Sequence, residues 1–226
     1  MNKLFSFVNF SWHFEEAKDW VKEYEKNLRP IPIGEKFVIV PFSDMAKVRE
    51  LQFDKRTSIN LIPGEAFGTG EHFTTASSIE IMESIKKFPR SVLDVGTGTG
   101  VLAIAAKHLG AKTVFACDID PVACKVAKET IALNKMKIPV CSSGPEIFER
   151  TFDLVAANIL AETIIELSPH FCRLTKGGGY LVLSGITIEM GSKVKEVFAS
   201  LGFNLLQAMS DGEWWTFLLA KIKKAK

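Results

Sequence analysis

A short apolar run, Ser91-Val-Leu-Asp-Val95, passes through Gly96-Thr-Gly98-Thr-Gly100 into a helical pattern over residues 100–109, and this junction restricts the fold more than anything else in the chain. Glycines at three alternate positions let the backbone turn sharply and come close to a ligand. The helix behind them opens with unpaired N–H groups that favour a polar or anionic guest. The dinucleotide fingerprint G-x-G-x-x-G would place its third glycine at position 101. Val101 stands there instead, and Asp94 sits two positions before the first glycine. The spacing therefore argues against a nicotinamide enzyme.

From residue 75 onward strands and helices alternate. The pattern predicts helices at 75–87, 100–109, 121–134, 161–174 and 189–200. Between them it predicts strands at Ser91–Val95, Thr113–Cys117, near Val140, Phe152–Ala157 and Tyr180–Ser184. Such alternation implies a parallel sheet covered on both faces. Strands at 203–209 and 214–221 follow with only Ser210-Asp211-Gly212 between them, which predicts an antiparallel hairpin. Trp214 and Trp215 start the last strand, so one is expected to face the core and the other a neighbouring surface.

Residues 15–28 read as an amphipathic helix ended by Pro30 and Pro32, Phe37–Val40 as a strand closed by Pro41, and Ile59–Ile62 as another. These elements lack enough apolar periodicity for a core of their own. Residues 1–65 are therefore expected to be a short extension packed on a domain spanning 66–226.

Asp118 ends the second core strand, 22 residues beyond Gly96. In open α/β sheets that position faces the ribose of a bound nucleoside, and a carboxylate there can accept both hydroxyl protons. The competing role is a cap on the next helix, but Asp120-Pro121 is suited to that cap. Asp118 is then left for ribose.

Charge and cysteine content exclude several classes. With 28 basic and 26 acidic residues the net charge is only +2, which gives no electrostatic case for a nucleic-acid partner. The lysines at 221, 223, 224 and 226 read as a solvated tail. Cys117, Cys124, Cys141 and Cys172 form no C-x-x-C pair, and neither a metal site nor a disulfide is expected. With no apolar run of membrane-spanning length and no cleavage site after Met1–Phe5, the expectation is a cytoplasmic protein, taken as a monomer.

The glycine turn with its acidic partner resembles the class I S-adenosylmethionine-dependent methyltransferases. Upstream, Pro63-Gly-Glu-Ala-Phe67-Gly-Thr-Gly-Glu-His72-Phe-Thr-Thr75 resembles the signature of the ribosomal protein L11 methyltransferase family. So do Asp118-Ile-Asp-Pro121, Val155-Ala-Ala-Asn158-Ile-Leu160-Ala161, Leu183-Ser-Gly185-Ile186 and Gly212-Glu-Trp214. The similarity runs from about residue 19 to the C-terminus. It implies an α/β, Rossmann-like fold: a mostly parallel seven-stranded sheet with an antiparallel C-terminal strand and a small N-terminal extension. The cofactor it implies is S-adenosyl-L-methionine, and the partner is L11, methylated on lysine side chains or its α-amino group. Family members normally carry a separate N-terminal domain that docks L11, whereas about 18 residues precede the matching segment here, so residues 1–65 are expected to serve as a reduced recognition region.

Carried over by motif, the cofactor contacts fall on Thr75, Gly96, Asp118 and Asn158, to which the turn itself adds Gly98. Thr75 either caps its helix with its hydroxyl turned to the methionine end of the cofactor or belongs to a simple N-cap within Thr74-Thr75. Phe67 either packs beside the methionine chain or fills the core. Asn158, at the carboxyl edge of the fourth strand, either orients the acceptor amine or forms a turn. Asn-Ile-Leu-Ala stands where related amine-modifying enzymes place Asn-Pro-Pro-Tyr, which fits a flexible lysine better than a flat base. Neither Glu71 nor His72 is assigned a catalytic role, and no covalent nucleophile is apparent. Methylation of another protein or a small molecule, and an inactive cofactor-binding module, remain alternatives.

Overall fold

The computed structural model describes residues 30–41, 55–62 and 67–223. The helix expected at 15–28, the signature residues 63–66 and the last three residues lie outside the described set.

The main sheet contains β4 (Ser91–Val95), β5 (Thr113–Asp118), β6 (Val140–Ser142), β7 (Phe152–Asn158), β8 (Thr175–Thr187), β9 (Phe203–Ser210) and β10 (Trp214–Lys221). Its strand order is β6-β5-β4-β7-β8-β10-β9. The pairs from β6 to β8 are parallel, and β10 runs antiparallel between β8 and β9. The architecture is thus the α/β, mostly parallel seven-stranded sheet that the alternating pattern and the resemblance imply. All five residues of β4 are buried, as expected for a central strand covered on both faces. The chain order reverses at β4, whose neighbours are β5 and β7. Ligands bind at such switch points, outside the carboxyl ends of the strands.

Helices α1 (Phe73–Ser84), α2 (Val101–His108) and α3 (Pro121–Leu133) cover one face. Helices α4 (Ala161–Glu166), α5 (Ser168–Leu174) and α6 (Gly191–Ser200) cover the other. The single helix expected over 161–174 is divided at Leu167. Pro169 lies in the first turn of the second piece, where its missing N–H is harmless, whereas in a helix interior it would break the hydrogen-bond ladder. Helix α3 is capped as its sequence implies: Asp120 accepts a hydrogen bond from the Val122 amide at 2.8 Å, with Pro121 opening the helix.

Upstream, β1 (Ile31–Ile33), β2 (Phe37–Pro41) and β3 (Thr57–Leu61) form a second sheet, β1 antiparallel and β3 parallel to β2. The Pro30/Pro32 pair hid β1, because proline removes a ladder donor. Pro32 is tolerated since β1 is an edge strand. Ile33, Phe37, Ile39, Ile59 and Leu61 share one apolar core with Ile79, Met82, Leu102 and Ile131 from α1, α2 and α3. Polar ties reinforce this packing. The Glu35 and Lys36 amides donate to the Glu83 carboxylate at 2.9 and 3.1 Å. Asn134, just past α3, exchanges two hydrogen bonds with the Asn60 backbone, as a further strand would: Asn60 N donates to Oδ1 at 2.9 Å and Nδ2 donates to the Asn60 carbonyl at 2.7 Å. Among the described residues no helix is long and apolar enough to cross a membrane.

Candidate active site

A cleft of about 560 Å³ opens over the carboxyl ends of β4, β5 and β7, within the size range of small-molecule sites. Its floor is the glycine turn. Gly96 and Thr97 donate their amides to the Cys117 carbonyl at 2.9 and 3.1 Å, which draws the turn against β5. Gly98 has φ +52°, and a Cβ there would lie 2.4 Å from the Phe67 carbonyl oxygen. Only glycine fits that conformation without strain.

Asp118 is oriented from two sides. Its Oδ2 accepts from the Gly98 amide and its Oδ1 from the Asp120 amide, each at 3.0 Å. Each carboxylate oxygen keeps a second lone-pair direction, so the acid that holds the turn can still receive two hydroxyls from the cleft it lines.

Asp94 has a role that the sequence reading noted only by position. It is 1% exposed, and its Oδ2 accepts from Thr97 Oγ1 at 2.7 Å and from the Ala103 amide at 3.1 Å. One buried carboxylate thus braces both the glycine turn and the first turn of α2. Its other oxygen, Oδ1, is buried without a hydrogen-bond partner in the described structure. Burial, and to a lesser degree the Asp118 charge, raise the Asp94 pKa to about 6. The D-x-G-x-G-x-G spacing was the available signal for this brace.

At the other end of the cleft the expected residues assemble differently from their expectation. The N-cap of α1 is His72, not Thr74 or Thr75: the His72 ring Nδ1 accepts from the Thr74 amide at 3.3 Å and lies 2.8 Å from Thr74 Oγ1. Sequence preference would not select histidine for that position, since caps are mostly Ser, Thr, Asp or Asn. Thr74 faces the cleft. Thr75 is fully buried behind it and accepts from Asn158 Nδ2 at 3.3 Å. Phe67 does not fill the core: it is 56% exposed, lines the cleft and meets the His72 ring edge-on at 5.6 Å. His72 in turn meets Trp214 at 5.2 Å. The two tryptophans diverge, Trp214 toward the cleft and Trp215 onto Phe217. Gly96, Gly98, Asp118, Asn158 and Phe67 therefore share one cleft, with Thr75 one layer back.

The arrangement has two ends. Asp118, the exposed Ile119 and the loop at Ser143–Pro145 make one, with an acid beside an apolar wall. Asn158, Leu160 and the Phe67–His72–Trp214 aromatic group make the other. Cys117, beside Asp118 on β5, also lines the cleft, and burial pushes its thiol well above the usual range, which disfavours the thiolate a nucleophile needs. Among the described residues no group of three or more His, Cys, Asp or Glu side chains is placed to hold a metal.

Comparison with known proteins bears on this geometry. A family model described as "Ribosomal protein L11 methyltransferase (PrmA)" matches residues 2–222, so the likeness begins well before the residue 19 that the motifs alone indicate. A ribosomal protein L11 methyltransferase of Pelobacter propionicus is 37% identical over 93% of the chain, and one of Carboxydothermus hydrogenoformans is 35% identical over 95%. The alignments cover 69% and 70% of those relatives' own lengths. The crystal structure of a ribosomal protein L11 methylase from Lactobacillus delbrueckii subsp. bulgaricus superposes with a TM-score of 0.78 at 31% identity, covering 86% of this chain and 98% of that one.

Proposed function

The chain belongs to the ribosomal protein L11 methyltransferase family, and on that premise we propose that it transfers methyl groups from S-adenosyl-L-methionine to lysine side chains or the α-amino group of L11. The observation that carries this reading is the pairing of Asp118, locked to the Gly98 amide, with Asn158 at the far end of the same cleft.

The residues present fit the cofactor. Asp118 would take the two ribose hydroxyls on its spare lone pairs, with Ile119 beside the base. Gly96 and Gly98 would bring backbone close to the nucleoside. The unpartnered Asp94 Oδ1 marks a buried acceptor under the turn. Phe67 would flank the methionine end, while Thr75, buried one layer back, would act there through Asn158, whose amide nitrogen it holds. When bound, S-adenosyl-L-methionine supplies a methyl group already activated on a sulfonium.

What remains for the protein is alignment and amine preparation, because holding reactants at near-attack distance supplies most of such a rate enhancement. Asn158 would accept a hydrogen bond from the acceptor amine and aim its lone pair. Lysine, with a pKa near 10.4, must lose its proton at a cost of between about 4 and 5 kcal/mol at pH 7, and an α-amino group at only about 1 kcal/mol. The aromatic group of Phe67, His72 and Trp214 and the apolar Leu160 would desolvate the ammonium and so lower that cost. Residues 1–65 are read as an extension contributing to substrate recognition and 66–226 as the methyltransferase domain, acting as a cytoplasmic monomer. The described part of the extension is anchored on α1, α2 and α3.

Incubation of the full chain with labelled cofactor tests the reading, with purified L11 in one arm and a ribosome-free lysate in the other. Label is expected in L11, at amino groups identifiable by mass spectrometry. Label entering only other products, or no label anywhere despite cofactor binding, contradicts it.

A further inference from the structure

Three buried hydroxyls join three elements behind the acceptor end of the cleft. Thr216 of β10 is fully buried, and its Oγ1 lies 2.6 Å from Ser77 Oγ of α1 and 2.6 Å from Ser184 Oγ of β8. Ser77 and Ser184 are 1% and 0% exposed. Ser77 Oγ also lies 2.7 Å from the Phe73 carbonyl, in the first turn of α1.

Proton counting limits how this chain can be arranged. A hydroxyl has one proton, and a carbonyl oxygen only accepts. With Ser77 donating to the Phe73 carbonyl, either Thr216 donates to Ser77 and Ser184 to Thr216, or Ser184 donates to the Thr74 carbonyl and Thr216 to one of the two serines. The first arrangement puts one proton in each of the three shortest contacts. The Thr74 carbonyl, 3.1 Å from Ser184 Oγ, is served by Ser78 at 2.6 Å. A fully satisfied buried network of this kind rigidifies what it joins.

What it joins is the acceptor end. The first turn of α1 carries Thr74, which faces the cleft, and Thr75, which holds the Asn158 amide nitrogen. Ser184 is the register partner of Asn158 across β7 and β8. Trp214, two residues before Thr216 on β10, reaches the cleft and touches His72.

We propose that Thr216 is a positioning residue for methyl transfer: through Ser77 and Ser184 it pins the first turn of α1 to β8 and β10, so that Thr75 holds Asn158 with its carbonyl oxygen left for the acceptor amine. This rests on the reading of Asn158 as the group that orients the acceptor.

The test compares full-length Thr216→Val, which keeps the shape and removes the hydroxyl, with Thr216→Ser, which restores it. The acceptor is purified L11. Displacements of the order of an ångström cost up to about a hundredfold, so Thr216→Val is expected to lower kcat by about tenfold or more, with cofactor affinity and KM changed by less than about threefold, and Thr216→Ser is expected to recover most of the loss. Independently of turnover, the Asn158 side-chain amide resonance, assigned by its loss in Asn158→Ala, is expected to shift in Thr216→Val and return in Thr216→Ser. If Thr216→Val does not fold, Ser77→Ala takes its place with the same expectations. A variant that only melts earlier, with kcat intact or with the Asn158 resonance unmoved, overturns the assignment. Should the wild type methylate nothing in L11, the acceptor reading fails, and the resonance alone still decides whether Thr216 positions Asn158.

Discussion

The amide of Gly98 donates to Asp118 Oδ2 at 3.0 Å, so the glycine turn and the acid 20 residues beyond it form one unit. Neither can be altered without disturbing the other. The hydrogen bond needs the Gly98 backbone at φ +52°, and the turn needs a carboxylate to hold its amide.

Gly98→Ala should therefore both destabilise the fold and weaken cofactor binding. The left-handed conformation costs a non-glycine residue about 1–2 kcal/mol, before the contact of the new Cβ with the Phe67 carbonyl is relieved. Chemical denaturation should show a loss of at least about 2 kcal/mol, and calorimetry a weaker complex. A variant as stable as wild type contradicts the backbone assignment.

Asp94 predicts a pH signature. Its folded pKa, about 6, lies above the unfolded value of 3.8. The folded state therefore binds the proton more tightly, and this stabilising contribution is complete below about pH 4 and lost as pH rises through 6. At neutral pH the buried anion is unfavourable by about 3 kcal/mol. Asp94→Asn keeps an acceptor for Thr97 and Ala103 and removes the charge. Its melting temperature should exceed the wild type's by several degrees at pH 7–8, and the gap should close toward pH 4. A constant gap across that range would show that Asp94 does not titrate as described.

His72→Ala should lose the cap on α1, at a cost of about 1 kcal/mol, while His72→Asn, a better cap, should retain the stability. Thermal melts of both variants decide this. Equal loss in the two would mean that the ring's contacts with Phe67 and Trp214, not the cap, support the helix.

Asn134→Ala should weaken the fold without touching the cofactor. It leaves the Asn60 N–H and carbonyl unpaired between β3 and α3, a loss of about 1–3 kcal/mol. Denaturation should report that loss, and calorimetry an unchanged affinity. Equal stability would show that water replaces the pair at no cost.

Much of this molecule was legible in its residues. The strand–helix alternation after residue 75, the final hairpin and the Asp120-Pro121 cap all follow from local chemistry, and most elements lie within a few residues of expectation, although β8 runs from Thr175 to Thr187 where only Tyr180–Ser184 was expected. The misreadings have physical causes. Pro169 divides one periodic stretch into two helices, because a helix accepts proline only in its first turn. Pro32 masks an edge strand that keeps its place through Ile33 and core packing. His72 caps a helix against propensity because its ring is also held by Phe67 and Trp214. The hydroxyl chain of Ser77, Thr216 and Ser184 spans 139 residues of sequence, and nothing local in any of the three announces it. The glycine spacing pointed to the turn and Asp118, but only the fold brings Phe67, His72 and Trp214 into one cleft with Asn158.

The most direct measurement is calorimetric titration of the full chain with S-adenosyl-L-methionine, wild type beside Asp118→Ala. One site per chain is expected for the wild type, and an affinity at least about a hundredfold lower for the variant, since two hydrogen bonds to a charged group are lost. Heat indistinguishable from dilution for the wild type, or equal affinities for the two proteins, would contradict the account.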